Sequence, residues 1–221
     1  MNSRLSSEQI KAEANALGFF ACGVAKAEPV DSLNGDVFRR WLDSKGYADM
    51  DYMARNVDKR LDPRILMPDV KSIVCVALNY APAKRMPQGE LQIAAYALGL
   101  DYHDIVKKRL HTLASRLGVT TYRAFCDTAP VLERYWAERA GLGWIGRNHQ
   151  LIIPKAGSMF FLGELFLDIE LEYDHPVKSR CGTCHACIDA CPTGALRRDE
   201  MFCSSRCLSY QTIENRGEIP P

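Results

Sequence analysis

The sequence predicts an α/β layered domain over residues 1–172, followed by a small cysteine-rich domain over residues 173–221. Apolar, β-branched runs alternate with segments whose apolar residues recur at helical spacing, a pattern typical of strands and helices packed in layers. Six of the nine cysteines lie beyond residue 180, where this alternation has ended. A length of 221 residues is enough for one domain with a small added module.

Four helices are predicted in the first domain, and each ends at a glycine. They lie at residues 7–17, 36–45, 102–117 and 130–141. Ser6 and Gln9 have the spacing of a capping box at the start of the first helix, and Gly18 follows its end. Pro130 is placed at the first turn of the fourth helix, where a missing N–H needs no partner.

Three strands are predicted between and after these helices, at residues 71–78, 119–126 and 159–171. The first is a continuous apolar run, which indicates a central strand covered on both faces. Residues 173–180 are expected to form a linker to the cysteine-rich domain.

Composition and charge exclude several classes of protein. With 47% hydrophobic residues the chain is neither disordered nor fibrous. A formal net charge of +1 excludes binding to nucleic acid through global charge, although local basic patches remain possible. The longest apolar stretches are too short to cross a bilayer, and the amphipathic N-terminus lacks the apolar core of a signal peptide. We therefore expect a soluble, cytoplasmic protein without a membrane partner.

The clustered cysteines carry the strongest motif in the chain. Residues 181–192 have the spacing C-x2-C-x2-C-x3-C-P of a bacterial-ferredoxin [4Fe–4S] site. This spacing implies Cys181, Cys184 and Cys187 on one cluster and Cys191 on a second. A structural zinc site is the alternative, but the final Cys-Pro and the Thr-Gly-Ala after it argue against zinc.

The remaining cysteines fall into two groups. Cys207 is a further candidate cluster ligand, and Cys203 is a weaker one, so on its own the tail is expected to complete at most one cluster, and the protein to hold one or two. Cys22, Cys75 and Cys126 lie upstream in apolar surroundings and are expected to be buried small hydrophobes.

Nearly the whole chain resembles, in order, the epoxyqueuosine reductase family, the cobalamin-dependent enzymes of the last step of queuosine synthesis in tRNA. The matching segments are YMARN at 52–56, KRLDP at 59–63, DYH at 101–103, DTAPVLER at 127–134, AERAGLGWIGRN at 137–148, FLGE at 161–164 and RCLSYQTIENRGEIP at 206–220. The family carries a second cysteine run beyond the point where this chain ends, which suggests a truncated or shortened relative. Arg147 stands where family members often have lysine.

The resemblance implies a cobalamin-binding first domain and a reductive reaction. An epoxide must lose its oxygen as water to give an alkene, which takes two electrons and two protons. No side chain supplies low-potential electrons, so the resemblance implies cob(I)alamin fed by [4Fe–4S] clusters and by an unidentified electron donor.

Asp127 is the expected proton donor, as in the family motif. From the local pattern alone, Asp127 is instead a helix N-cap for the helix at Pro130. To donate a proton near neutral pH, its pKa must be raised from about 3.9, and burial against the corrin is the expected cause.

The resemblance also assigns residues around Asp127. Arg134 is expected to contact the modified nucleoside or its phosphate, with an ion pair to Glu133 or Glu138 as the alternative. The pocket is expected to be lined by Asp101, Tyr102 and His103, although Tyr102 could belong to the core and His103 could cap a helix. The residues expected around the corrin are Arg60, Leu151, Leu162 and Ser209.

The implied partner is tRNA carrying epoxyqueuosine in its anticodon loop, bound by a monomer. Basic residues that could form a phosphate footprint are Lys107, Lys108, Arg109, Arg116, Arg147, Lys178, Arg180, Arg197 and Arg198. Trp144 is a candidate for stacking a base, with burial in the core as its alternative.

Two other functions remain open on the sequence. One is a different cobalamin reductase, such as a relative of the reductive dehalogenases. The other is an iron–sulfur electron-transfer or corrinoid-binding protein without tRNA reductase activity. The match from Asp127 to Arg134 argues against the second, because an electron carrier would not need it.

Overall fold

The computed structural model describes residues 5–198 and 200–220. Its strands are β1 (Ala21–Lys26), β2 (Ser72–Asn79), β3 (Tyr122–Phe125), β4 (Trp144–Ile145), β5 (Leu151–Ile152) and β6 (Phe160–Leu167). Four of them form one sheet in the order β1-β2-β6-β3, and β4 pairs with β5 in a separate two-stranded ribbon. Every pair is antiparallel. The predicted layering of helices and strands is therefore present, on an antiparallel sheet.

Helices cover both faces of this sheet. They are α1 (Ser7–Ala16), α2 (Ser32–Asp43), α3 (Val57–Leu61), α4 (Pro63–Leu66), α5 (Tyr102–Arg116), α6 (Glu133–Arg139), α7 (Ala186–Asp189) and α8 (Leu208–Ile213). Short 3-10 turns lie at Asp51–Met53, Ala95–Ala97 and Ser204–Arg206. In the part of the chain described, no helix is long and apolar enough to cross a membrane.

Several predicted elements are confirmed closely. The capping box at the start of α1 is formed in both directions between Ser6 and Gln9, and α5 lies within the predicted range. The predicted central strand is β2, which is hydrogen-bonded on both sides and buried over residues 72–77.

Other elements differ from the prediction. The second helix begins at Ser32 rather than at 36, because Asp31 caps it by accepting the Asn34 N–H at 3.0 Å. The fourth helix begins at Glu133, not at Pro130. Strand β1 is not predicted at all, since its six residues ACGVAK are small and carry little β-branched character.

Two hydrophobic cores lie on opposite faces of the sheet. One packs α6, the β4–β5 ribbon and the α2–α4 region against it, and the other packs α1 and α5. Two glycines allow close contacts between the helices and the sheet. A Cβ on Gly23 of β1 would meet the Ala140 carbonyl oxygen at 2.0 Å, and one on Gly163 of β6 would meet Val106 of α5 at 2.6 Å. The end of α6 and the α5 helix at Val106 therefore sit close to the sheet.

The segment predicted as a linker is fastened to the first domain at its start. The Asp174 carboxylate accepts the Val24 N–H at 2.9 Å and pairs with Lys11 at 2.5 Å. The Asp174 N–H also donates to the Val24 carbonyl at 2.8 Å. Residues 173–180 thus have no regular secondary structure, as expected, but they begin docked on β1.

Candidate active site

Asp127 lies directly after β3 and next to the first turn of α5. Its backbone is in the left-handed region, with φ of 58°. The Tyr102 hydroxyl donates a hydrogen bond to the Asp127 carboxylate, and His103 Nε2 lies 3.3 Å from the same oxygen. The chain thus brings together three residues that the resemblance assigns to the site. The Asp127 side chain is 60% exposed, so the protein itself does not supply the burial that was expected around it.

The helix-cap alternative for Asp127 is wrong. Helix α6 begins six residues later, and its cap residue, Leu132, makes no side-chain cap bond. Asp127 does not cap the helix; instead, the helix residue Glu133 accepts the backbone N–H of Asp127 with its side-chain carboxylate. Asp127 is therefore held through its backbone by α6 and through its carboxylate by α5.

The start of α5 positions His103. Asp101 caps the helix by accepting the His103 N–H at 2.9 Å, and its carboxylate lies 2.7 Å from His103 Nδ1. The His103 ring is consequently held between Asp101 and Asp127. The suggestion that His103 caps the helix is wrong, since Asp101 has that role.

Tyr102 is fixed by aromatic stacking as well as by its hydroxyl. Its ring is parallel to Phe161, with centroids 4.1 Å apart, and stacks on His103 at 4.0 Å. Phe161 in turn packs on Tyr80 at 4.5 Å. Burial and the contact with Asp127 raise the pKa of Tyr102, so the phenol keeps its proton and acts as the hydrogen-bond donor.

Arg134 is exposed and points toward the β4–β5 ribbon. It donates a hydrogen bond to the His149 carbonyl, and the expected alternative, an ion pair with Glu133 or Glu138, is not formed between these described residues. The His149 ring packs on Phe202 of the tail at 5.2 Å. Arg134 therefore lies where α6, the ribbon and the tail approach each other.

The four residues expected around the corrin lie on different elements. Arg60 is buried at the end of α3, donates to the Tyr52 carbonyl at 3.1 Å, and leaves its Nε without a partner in the described chain. The Tyr52 hydroxyl donates to Glu214, at the end of α8, at 3.0 Å. Tyr52 therefore links Arg60 to α8, the helix that carries the exposed Ser209. Leu151 is buried in β5, and Leu162 is half-buried in β6.

The cysteine-rich tail is attached to the ribbon by two side chains. Trp144 Nε1 donates to Cys181 Sγ at 3.4 Å, and this bond lowers the pKa of the Cys181 thiol. Arg147 donates to the carbonyls of Gly182, at 2.8 Å, and of Cys184. The ribbon thus holds the first loop of the ferredoxin-type motif.

The candidate cluster ligands all lie at or near the surface. Helix α7 carries Cys187, and the backbone N–H of Leu196 lowers the pKa of the Cys191 thiol. Cys207 precedes α8. Within residues 5–198 and 200–220, no three His, Cys, Asp or Glu side chains are gathered closely enough to hold a metal ion.

Most of the candidate basic residues have partners within the chain. Arg109 donates to the Gly18 carbonyl, Arg116 pairs with Glu13, and Arg197 pairs with Glu200. Lys107 donates to Thr128, beside Asp127, at 3.0 Å. Trp144 is 7% exposed and belongs to the core, so it is not a base-stacking residue.

Sequence reasoning missed a pair of carboxyl groups beneath Asp127. Glu164 of β6 is fully buried, and Glu133 lies beside it at the start of α6. Burial raises the pKa of Glu133 to about 7, and burial together with Glu133 raises the pKa of Glu164 well above its usual value. The sequence did contain a sign of this site, namely a glutamate within the apolar run FFLGELFL. A glutamate is rarely fully buried unless it has a partner.

Two family models match the chain. Epoxyqueuosine reductase QueG, DUF1730, matches residues 60–128, and the 4Fe-4S double cluster binding domain matches residues 180–221. A curated protein of Cellulophaga algicola named epoxyqueuosine reductase is 45% identical over 218 residues, which cover 97% of this chain and 71% of the relative.

Solved structures give the same result. Epoxyqueuosine reductase from Streptococcus thermophilus matches with a TM-score of 0.86 and 30% identity, covering 96% of this chain and 59% of its own. An epoxyqueuosine reductase solved with a tRNA-Tyr epoxyqueuosine-modified stem loop matches with a TM-score of 0.85 and 32% identity, over 96% of this chain and 58% of its own. The chain thus spans less than two thirds of the solved structures that it matches. A reductive dehalogenase at 18% identity and a TM-score of 0.51 shares the fold alone.

Proposed function

The chain belongs to the epoxyqueuosine reductase family, and from this we propose that it reduces epoxyqueuosine to queuosine in tRNA. The substrate loses its epoxide oxygen as water and gains an alkene, with the uptake of two electrons and two protons. The observation that carries the proposal is the exposed Asp127 carboxyl group, held between Tyr102 and His103. An exposed carboxyl group held in this way supports a role as proton donor to a nucleoside in an RNA loop.

Asp127 donates a proton to the departing epoxide oxygen. Once Asp127 is ionised, the Tyr102 hydroxyl donates a charge-assisted hydrogen bond to its carboxylate and stabilises it. His103, held by Asp101, fixes the position of the same oxygen. Arg134, an exposed residue next to Glu133, contacts the nucleoside or its phosphate through its planar guanidinium.

Cobalamin is the proposed reductant, held by Arg60, Leu151, Leu162 and Ser209. The fit is supported by Arg60, whose buried Nε has no partner within the described chain and is available to an acceptor on a ligand. When bound, cobalamin supplies the low-potential electrons that no side chain can provide.

The tail binds iron–sulfur clusters, and its family model is that of a double-cluster domain. The proposed ligands are Cys181, Cys184, Cys187, Cys191 and Cys207. Lowered pKa values at Cys181 and Cys191 favour thiolates, which are the form that binds iron. An external donor reduces these clusters, and the protein acts on tRNA as a monomer.

The test is reduction of an epoxyqueuosine-containing anticodon stem loop under anaerobic conditions, with cobalamin and a reduced viologen. Asp127→Asn should lower the rate by about a hundredfold or more, the range typical of a lost general acid. Asp104→Asn is the matched control, since Asp104 is an exposed acid in the first turn of α5. Full activity of Asp127→Asn would remove Asp127 from the chemistry. Cobalamin binding without any turnover by the unaltered chain would favour the electron-transfer or corrinoid-binding alternative.

A further inference from the structure

The second half of the tail, residues 201–214, lies against the end of α2 and the turns that follow it. The Trp41 indole N–H donates to the Phe202 carbonyl at 2.8 Å. The backbone N–H of Ser204 donates to the Gly46 carbonyl at 2.8 Å, and Ser204 is only 1% exposed. Because both bonds join backbone groups of the tail to the first domain, they fix the path of the tail at this point.

Two side-chain hydrogen bonds extend this contact along α8. The Tyr210 hydroxyl donates to the Asp49 carboxylate at 2.9 Å, and Tyr210 is buried. The Tyr52 hydroxyl donates to Glu214, at the end of α8, at 3.0 Å. A buried tyrosine hydroxyl needs a partner of this kind, because an unpaired polar group in the interior is costly. The first domain thus holds the second half of the tail through residues 41–52, here called the docking segment.

The contact at Gly46 leaves no room for a side chain. A Cβ on Gly46 would lie 2.3 Å from Trp41 Nε1 and 3.0 Å from the Phe202 carbonyl oxygen. Lys45 and Ala48, in the same turn, have left-handed backbones with φ of 52° and 53°. This conformation costs energy in residues other than glycine, so it is kept where the surroundings hold it. The turn therefore follows a specific path at the place where it meets the tail.

The middle of the tail, residues 185–198, is held differently. Among the described residues, its hydrogen bonds join partners no more than five positions apart. Its side chains are exposed or half-buried, apart from that of Ala195. The first loop of the tail, by contrast, is bonded to the ribbon through Trp144 and Arg147. The two ends of the tail are therefore fastened to the first domain, and the middle depends on local bonds.

We propose that the docking segment holds the second half of the tail on the first domain whether or not iron is bound, and that it thereby positions Cys207. Cys207 lies between Ser204 and Tyr210, which are both buried and bonded to the docking segment. The residues of the docking segment act on a cluster only through Cys207, so they are positioning residues. The assignment of Cys207 as a cluster ligand rests on the proposed function, but the docking of the tail does not.

The first test follows hydrogen exchange of single amides in the full chain, before and after anaerobic reconstitution with iron and sulfide. Before reconstitution, the Ser204 amide should exchange at least about tenfold more slowly than its intrinsic rate, because its N–H is bonded to the first domain. Reconstitution should slow exchange in residues 185–198 by about tenfold or more and change the Ser204 rate by less than about twofold.

Two results of this test would overturn the proposal. One is a Ser204 amide that exchanges freely before iron is added. The other is a Ser204 amide that iron slows as much as it slows residues 185–198, since the second half of the tail would then depend on the cluster. Neither readout uses cobalamin or tRNA, so both are decided even if the chain does not reduce epoxyqueuosine.

The second test is Gly46→Ala, which should release the second half of the tail because the new Cβ overlaps Trp41. In the iron-free chain, Cys207 should then react with iodoacetamide about fivefold or more faster than in wild type. Cys184, in the loop held by the ribbon, should react at the wild-type rate. Gly99→Ala is the matched control, since a Cβ on Gly99 would meet nothing within 4 Å. Wild-type reactivity of Cys207 in Gly46→Ala would overturn the proposal.

A milder variant, Tyr210→Phe, covers the case in which Gly46→Ala fails to fold. It removes only the hydroxyl that donates to Asp49, and the amides of β2 report that the first domain is intact. Losing this bond should speed exchange of the Ser204 amide by about threefold or more. Tyr96→Phe is the control, because Tyr96 lies on the exposed segment before α5. Equal Ser204 exchange rates in the two variants would also overturn the proposal.

Discussion

At the scale of single residues, Asp127 shows what a local pattern can and cannot indicate. Asp is among the residues that tolerate the left-handed region, so the φ of 58° is compatible with its side chain. The helix-cap pattern depends only on the few residues that follow Asp127, and it wrongly predicted that Asp127 caps a helix. The bonds that decide its position come from Tyr102 and His103, which lie 25 and 24 residues away. The family resemblance named all three residues, but their mutual contacts required the fold.

Tyr102→Phe should slow the reaction without weakening substrate binding. The variant keeps the ring stacked on Phe161 but removes the hydroxyl that donates to Asp127. A hydrogen bond to a charged group is worth about 1.5–3 kcal/mol, so we expect kcat to fall by about tenfold or more with KM little changed. Tyr122→Phe is the control, since the Tyr122 hydroxyl bonds to His111 on the outer side of α5. Equal kcat values for the two variants would contradict the role given to Tyr102.

At the scale of elements, the ends of helices were predicted better than their beginnings. The glycines that follow α1 and α5 have positive φ and end those helices, as the sequence indicated. The start of α6 was misplaced, because Pro130 favours a first turn in many contexts but here lies within the loop that carries Asp127. The docking of residues 173–180 could not be predicted either, since it depends on Asp174 meeting an N–H of β1, 150 residues earlier.

Arg147→Lys should leave the fold intact but loosen the first cysteine loop. The arginine bonds two carbonyls of that loop at once, whereas a lysine offers one flexible point charge. Losing one bond of about 1 kcal/mol should speed the bleaching of the iron–sulfur absorbance by a chelator by about fivefold. Arg180→Lys is the matched control, because Arg180 is exposed just before the motif. Unchanged bleaching in Arg147→Lys would show that the ribbon does not hold this loop.

At the scale of the whole molecule, the sequence indicated layers but not strand direction. Residues of β2 and β6 are buried on both faces, a pattern more often found in parallel sheets than in antiparallel ones. Here both faces are covered because helices pack on each side of an antiparallel sheet, giving two cores rather than one. Burial patterns record which residues are covered, and they do not record the direction of the neighbouring strand.

The carboxyl groups of Glu133 and Glu164 should make global stability depend on pH. The pKa of Glu133 is raised from 4.5 in a model peptide to about 7 in the folded protein, and that of Glu164 is raised too. The folded state therefore binds more protons than the unfolded state between these values, and the free energy of unfolding falls as pH rises through them. The slope is up to about 1.4 kcal/mol per pH unit for each group.

Glu164→Gln should flatten this dependence, because it removes a group whose pKa is raised in the folded protein. Denaturant unfolding at a series of pH values from about 4.5 to about 8 measures the difference. Glu170→Gln, which changes an exposed acid beyond β6, is the control and should follow the wild-type curve. Parallel curves for wild type and Glu164→Gln would show that folding does not raise the pKa of Glu164.

Asp174 has a consequence for how copies of this protein behave at high concentration. Strand β1 is at one edge of the sheet, where unpaired backbone groups can recruit a strand from another molecule. Asp174 forms hydrogen bonds with both the N–H and the carbonyl of Val24. These two backbone groups in the middle of the edge are therefore not available to another strand. Its carboxylate and Lys11 also place charge beside the edge. The segment that leads to the cysteine-rich tail therefore hinders the pairing of another strand with the β1 edge of the sheet.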